Sequence, residues 1–250
     1  MSVLGTLLQL AHFLLAIKIW ICSWIKHVAK PWAPFKGRDV QSYDSKSLKR
    51  LPIHLGVIIL EDNISYIDIA NIIIWCMTLG ISYISVYDRK GAIRQNQNHL
   101  AEEIHKRQEE LYKKRRESFN INVYNGLYDS SKNTGSSSSN SSDVQLLSEE
   151  DGQLSLVQVA KEISKSVKEK RWKVEDVSLQ NVENYLLEKS RFPDPDLVIK
   201  FGAAECLMGF LPWQIRLTEF FVSPSHRGLS YKTFLSLLQD YGNTQQRFGK

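Results

Sequence analysis

Two short polar segments hold the side chains most able to do chemistry. Glu61–Asn63 and Asp88–Gly91 each directly follow a run of apolar residues. Glu61 and Asp62 together could hold a magnesium ion, which prefers oxygen ligands, although two adjacent carboxylates are more often simply turn residues. The sequence has no GxxxxGK(S/T) phosphate loop, no GxSxG nucleophile motif and no histidine pair at metal-ligand spacing. The residue pattern alone therefore predicts no complete catalytic set.

The apolar runs around these segments predict a βαβ unit. Ile53–Leu60 is short and rich in β-branched residues, which is typical of a buried strand. Ile64–Leu79 is apolar on nearly all faces and predicts a buried helix that ends at Gly80, and Ile81–Tyr87 predicts a second strand. Because a helical crossover joins them, we expect the two strands to be parallel. Open α/β sheets bind ligands at the carboxyl ends of their strands, so both polar segments lie where a site is expected.

Further strands and helices extend this unit into one α/β domain at residues 51–250. The additional predicted strands are Phe119–Tyr124, Asp196–Phe201 and Leu217–Val222. The additional predicted helices lie at residues 92–118, 154–167 and 179–187 and after Ser230. The Ser-rich residues 129–143 are too polar to pack, and we expect them to form a disordered loop within the domain. The alternation predicts a largely parallel central sheet with helices on both faces.

Residues 1–30 are predicted to be a membrane anchor, followed by a linker at residues 31–50. Val3–Ile25 is mostly apolar, and as a helix it would rise roughly 34 Å, enough to cross a bilayer core of about 30 Å. His12 and Lys18 lie inside it and cost insertion energy, so the segment either spans the membrane or lies on its surface. Lysine and arginine residues follow the segment and none precedes it, which favours a domain in the cytosol.

The composition excludes other classes of protein. The net charge is +5 and 43% of the residues are hydrophobic, so the chain can bury a core. Its basic residues match no nucleic-acid-binding module, and we expect no nucleic-acid partner. Cys22, Cys76 and Cys206 are far apart, which excludes the usual zinc spacings and a disulfide framework. Three unpaired cysteines favour a reducing compartment.

A family resemblance rests on the segment Phe192–Phe220, which contains the sequences PDPDL, FLPWQ and TE. This segment resembles the late signature of the cis-prenyltransferases, which include the undecaprenyl and dehydrodolichyl diphosphate synthases. In catalytic members it carries an arginine, a Gly-Glu pair and a second arginine that bind the diphosphate of isopentenyl diphosphate. The matching positions here are Lys200, Ala204 and Cys206. Because a cysteine cannot offer the bidentate hydrogen bonds of arginine, the resemblance implies a degenerate site.

The first family signature also departs from the catalytic pattern. Catalytic members follow their first strand with Met-Asp-Gly-Asn and an arginine, where the aspartate holds magnesium. Here the matching residues are Leu60–Ile64, so Glu61, Asp62 and Asn63 occupy the site without its glycine. The Phe-Ser-x-Glu-Asn-Trp element is replaced by Val86–Gly91. The resemblance therefore implies no catalytic residue or metal ligand in this chain, and Mg²⁺ bound mainly by a catalytic partner.

The chain resembles the noncatalytic branch of the family, the Nogo-B receptor type of dehydrodolichyl diphosphate synthase subunit. The shared segments span roughly residues 51–250 and are Trp75–Met77, Gly80–Asp88, Gly209–Trp213, Arg216–Glu219 and Gln246–Lys250. The resemblance implies the cis-prenyltransferase fold after an N-terminal membrane helix. It also implies an accessory subunit that stabilises a catalytic cis-prenyltransferase for dolichol synthesis and protein glycosylation. The endoplasmic reticulum membrane is the implied location, with the domain facing the cytosol.

The carboxyl-terminal residues carry one further implied role. Arg247 and Gly249 match the R-x-G motif, which in this family completes the partner's isopentenyl diphosphate site. The sequence leaves two other functions open. One is a membrane-tethered receptor or lipid-binding protein without a role in the synthase. The other is a self-sufficient cis-prenyltransferase in which Lys200 and Glu61 replace the lost groups.

Overall fold

The computed structural model describes residues 48–115, 120–127, 141–203 and 206–245. The predicted anchor at residues 1–30 lies outside these ranges, so its helix stays a prediction. Within the described ranges, no helix is both long enough and apolar enough to cross a bilayer.

Six strands among the described residues form one sheet in which every neighbouring pair is parallel. The strands are β1 (His54–Ile59), β2 (Tyr83–Asp88), β3 (Asn120–Asn125), β4 (Ser141–Leu147), β5 (Leu197–Phe201) and β6 (Glu219–Ser223). Their order across the sheet is β3-β4-β2-β1-β5-β6. The prediction of a largely parallel α/β sheet is confirmed.

Six α-helices connect or follow these strands within the described residues. They are α1 (Tyr66–Leu79), α2 (Ala92–Gln95), α3 (Gln97–Arg115), α4 (Gln153–Lys168), α5 (Leu179–Lys189) and α6 (Tyr231–Asn243). Helices α1, α3 and α6 share one core with the sheet residues Leu55, Val57 and Ile59. A second, smaller core on the opposite face contains Ile58 and Phe210. The alternation of side chains along β1 thus sends neighbouring residues to different layers.

Helix α1 begins and ends at residues suited to those positions. The Ser65 hydroxyl caps its first turn by accepting a hydrogen bond from the Asp68 N–H. Gly80 ends it with a φ of 94°, a left-handed conformation that glycine adopts without strain, and donates its N–H to the Cys76 and Met77 carbonyls. Nine residues of α1 are buried, which agrees with a helix that is apolar on nearly all faces.

Two predicted boundaries are wrong. Strand β4 begins at Ser141, inside the loop predicted at residues 129–143. Its polar side chains are satisfied internally, since the Ser142 hydroxyl donates to the Ile81 carbonyl at 2.9 Å. The linker predicted at residues 31–50 also extends too far, because Leu48 packs against the main core and the Arg50 guanidinium lies 4.6 Å from the Tyr241 ring centre.

The segment Leu207–Leu211, here called the strap, crosses the face of the sheet that carries the smaller core. Phe210 is fully buried there and packs edge-on against Tyr87, with 5.5 Å between ring centres. Gly56 makes room for it, because a Cβ at that position would lie 2.8 Å from Val198 Cγ2 and 3.0 Å from Phe210 Cζ. The Tyr87 hydroxyl donates to the Met208 carbonyl. The strap is thereby fixed against the strands that lead into the candidate site.

Candidate functional site

The carboxyl edge of the sheet brings the predicted site segments together. Ile59 in β1 pairs with Asp88 in β2 and with Phe201 in β5, and Phe201 pairs with Ser223 in β6. Because these strands are parallel and end at the same level, the residues that follow them share one edge. The structure thus confirms that Glu61 and the Asp88–Gly91 segment lie at one edge.

Glu61 is held by a histidine that the sequence patterns did not single out. One carboxylate oxygen, Oε2, accepts from the backbone N–H of His226 at 2.9 Å and from its ring Nδ1. The His226 side chain is fully buried, and the Glu61 side chain is 20% exposed. Burial raises the pKa of Glu61, but hydrogen bonds from His226 and Ser225 outweigh it and lower this pKa to about 2. The carboxylate is therefore ionised and bound within the chain.

His226 also reaches the first helix. Its Nε2 accepts the backbone N–H of Ser65 at 2.9 Å, so the ring donates to Glu61 through its Nδ1–H. Ser65 is the N-cap of α1. A single imidazole thus joins the end of β1, the start of α1 and the loop between β6 and α6. The only sequence signal for this role was one histidine shortly after a predicted strand.

The other charged side chains of this edge also bind one another. Asp62 forms an exposed ion pair with Lys90, with 2.5 Å between Oδ1 and Nζ, and this contact lowers the pKa of Asp62. Asn63 beside them is exposed. Arg89 donates to both carboxylate oxygens of Glu149, at 3.1 Å from Nη2 and 3.3 Å from Nε.

Asp88, the last residue of β2, serves a structural purpose. Its two carboxylate oxygens accept the backbone N–H groups of Ala92 at 2.8 Å and Ile93 at 3.0 Å. These are free amides at the start of α2, which a carboxylate satisfies well. Arg94 of the same helix pairs with Asp151 at 3.2 Å. This edge is therefore a set of internal hydrogen bonds and ion pairs.

The structure describes only some of the residues at the late family signature. Lys200 is buried in β5, where it pairs with Ile58 on one side and Val222 on the other. Cys206 has an exposed free thiol. Ala204 lies outside the described residues, as do Arg247 and Gly249, so the predicted roles of these three stay predictions.

The described residues do not fit a magnesium ion. The ion needs several oxygen ligands in near-octahedral geometry, yet the Glu61 oxygen Oε2 is bound by His226 and the Asp62 oxygen Oδ1 by Lys90. No group of three acidic, histidine or cysteine residues capable of holding a metal occurs in the described part of the chain. No chemical step is therefore assigned to a metal in this chain.

Comparison with known proteins identifies relatives over most of the chain. A family model described as putative undecaprenyl diphosphate synthase matches residues 63–249. The chain is 40% identical to dehydrodolichyl diphosphate synthase complex subunit Nus1 of Mus musculus, over 83% of this chain and 69% of that protein. It is 39% identical to the Homo sapiens protein of the same description, over 83% of this chain and 70% of that one.

A solved structure shares the fold. Lavandulyl diphosphate synthase from Lavandula x intermedia, solved in complex with dimethylallyl diphosphate, superposes with a TM-score of 0.55 at 17% identity. The match covers 80% of this chain and 99% of that one. The described part of the chain therefore has the same overall fold as that protein.

The Glu61–His226 contact predicts a pH-dependent difference in stability between wild type and Glu61→Gln. The pKa of Glu61 in the folded chain, about 2, lies below its ordinary value of 4.5, so the ionised carboxylate stabilises the fold fully above about pH 4.5. At pH 6 we expect Glu61→Gln to lower the free energy of unfolding by about 2 kcal/mol. This difference should shrink as the pH falls towards 2, as measured by urea denaturation.

Asp62→Asn is the matched control for this measurement. It removes a neighbouring carboxylate whose ion pair is exposed, and solvent screens such a pair so that it contributes little to stability. An equal loss of stability in both variants at pH 6, or a Glu61→Gln deficit that does not change with pH, would contradict the assigned contact.

Proposed function

From the premise that this chain belongs to the undecaprenyl diphosphate synthase family, we propose that it is the accessory, non-catalytic subunit of a dehydrodolichyl diphosphate synthase complex. It stabilises a catalytic cis-prenyltransferase and completes that subunit's isopentenyl diphosphate site. The complex supplies long-chain polyprenyl diphosphate for dolichol synthesis and protein glycosylation. The relatives named as subunits of such a complex support this proposal.

The single observation that carries the non-catalytic role is the binding of Glu61 by His226. A site that binds diphosphate needs cationic side chains and backbone N–H groups that are available to donate hydrogen bonds to the ligand. At this edge Lys90 is paired with Asp62, and Arg89 is paired with Glu149. A diphosphate would have to displace these internal partners. We therefore assign magnesium and the substrate site to the partner, with only the carboxyl-terminal tail of this chain contributing to that site.

The partner surface that we propose lies along strand β6. This strand is at one side of the sheet, so its outer backbone groups pair with no described strand. Apolar side chains in this strand and just before it are exposed to solvent. The exposed fraction is 66% for Leu217, 38% for Phe220 and 62% for Val222. An exposed edge strand with apolar side chains is typical of a protein interface. We assign its occupant as the catalytic subunit.

The location and the tail complete the proposal. Residues 1–30 anchor the chain in the endoplasmic reticulum membrane, with the domain in the cytosol. The Arg247 guanidinium donates bidentate, charge-assisted hydrogen bonds to the diphosphate bound by the partner. Gly249 has no side chain, so its backbone N–H can approach the same diphosphate. The support for these assignments is the residue pattern of the two termini.

Co-expression with and without a catalytic partner tests the function. We expect the purified chain alone to incorporate no labelled isopentenyl diphosphate into polyprenyl product. The partner alone should have low activity, and the two together should exceed their sum severalfold. Product formation by this chain alone would overturn the non-catalytic assignment, and equal activity of the partner with and without it would overturn the accessory one.

Arg247→Ala should depress turnover of the assembled complex. Loss of a charge-assisted hydrogen bond to the bound diphosphate costs about 1.5–3 kcal/mol, on the order of tenfold to a hundredfold in kcat/KM. Co-purification should show that the two subunits still assemble. Lys250→Ala, outside the R-x-G motif, should leave the rate unchanged. Full activity of Arg247→Ala would remove the tail from the proposed site.

Val222→Asp should prevent assembly without unfolding the chain. Its side chain is already 62% exposed, so the carboxylate costs little in the isolated chain but would be desolvated in the complex. Val174→Asp is the control, because that side chain is 74% exposed on a turn far along the chain from β6. Co-purification and circular dichroism would measure the two effects. Normal assembly of Val222→Asp would show that β6 is not the interface.

A further inference from the structure

We propose that the exposed face of helix α4 docks on an anionic phospholipid bilayer. This contact is separate from the predicted N-terminal anchor and from the β6 surface assigned to the catalytic subunit. It would hold the domain against the membrane in one orientation. The proposal rests on the side chains that α4 leaves in solvent, and it does not depend on the proposed function.

Helix α4 has one buried face and one face whose side chains are exposed in the described part of the chain. Ser155, Val159, Ile163 and Ser166 are its buried residues, and they recur at the spacing of a single helical face. The residues on the opposite face recur at intervals of three or four and are all exposed. They are Leu154, Val157, Lys161, Ser164, Lys165 and Lys168.

The exposed face divides into an apolar end and a cationic end. Leu154 is 58% exposed and Val157 is 50% exposed, and the three lysines follow within the next turns. Lys161 and Lys168 form no ion pair within the described part of the chain, and Lys165 makes a loose one with Glu169 at 3.8 Å. Lysines can keep their charge at phosphate level while their alkyl chains lie on apolar surface.

The charge of the surrounding segment favours an anionic surface. Residues 153–173 contain six lysine or arginine residues and two glutamates. Both glutamates are engaged, since Glu162 binds Lys189 and Glu169 binds Arg171 at 2.6 Å. The unneutralised charge is therefore positive, and each lysine near an anionic membrane surface contributes about 1 kcal/mol.

The side-chain types favour a bilayer over a protein as the occupant. Protein interfaces are enriched in aromatic residues and arginine and depleted in lysine. The exposed face of α4 carries three lysines and has neither an aromatic residue nor an arginine. Amphipathic helices that lie on membranes combine aliphatic residues with lysine. The β6 surface, with its phenylalanine and aliphatic residues, has the opposite character.

A fluorescent label on the full chain tests the contact. In a Cys22→Ser/Cys206→Ser background, Ser164→Cys on the exposed face of α4 is labelled, and Gln239→Cys on α6 is the position control. Cys76 is fully buried and should not react. The chain is reconstituted in phosphatidylcholine vesicles with or without about 30% phosphatidylserine. Quenching by brominated phospholipid reports the approach of each label to the acyl chains.

We expect strong quenching at residue 164 only with phosphatidylserine, and little at residue 239 in either vesicle. Raising the salt concentration from about 0.1 M to 0.5 M should reverse the quenching at residue 164, because salt screens the attraction between the lysines and the anionic headgroups. Lys161→Gln/Lys165→Gln/Lys168→Gln should weaken docking on the order of a hundredfold, at about fivefold per lysine. The control variant Lys113→Gln/Lys232→Gln, which removes two exposed lysines from α3 and α6, should leave docking unchanged.

Three results would overturn the proposal. The first is equal quenching at residues 164 and 239, and the second is quenching at residue 164 that does not depend on phosphatidylserine. The third is a label at residue 164 that responds only to an added protein with an acidic surface, since α4 would then be a protein-binding face. Because the vesicle assay contains no catalytic subunit, none of these results bears on the accessory role.

Discussion

The parallel register of the sheet is the constraint on which the rest of the structure depends. Since β1, β2, β5 and β6 point the same way and end together, the loops that follow them meet at one edge. Side chains far apart in sequence, such as Glu61 and His226, thereby come into hydrogen-bond contact. This edge collects groups that satisfy one another.

The sequence predicted those parts of the fold that local patterns specify. Strands β1 and β2 and the helix between them follow from uninterrupted β-branched runs and an all-round apolar helix, so their order and type were correct. Strand β4 was missed because Ser141–Asp143 is polar, and its burial depends on neighbours such as Ile81, whose carbonyl accepts from Ser142. His226 was missed for a similar reason, since its partners come from distant segments.

The domain presents two exposed surfaces of different chemistry. Strand β6 offers outer backbone groups that pair with no described strand, together with phenylalanine and aliphatic side chains, which suits a second protein. Helix α4 offers lysines with two aliphatic residues, which suits phospholipid headgroups. The two surfaces belong to different elements. Helix α4 follows β4 in the chain, whereas β6 is the strand at one edge of the sheet. One subunit can therefore contact a protein and a membrane through separate residues.

The closed contact between Glu61 and His226 has a consequence for how the folded chain is maintained. An enzyme that keeps charges apart for an absent substrate sacrifices stability, and it regains that stability when the substrate binds. This chain already carries its counter-charges and donors at the corresponding edge. The thermal stability of this edge should consequently not depend on a ligand bound there.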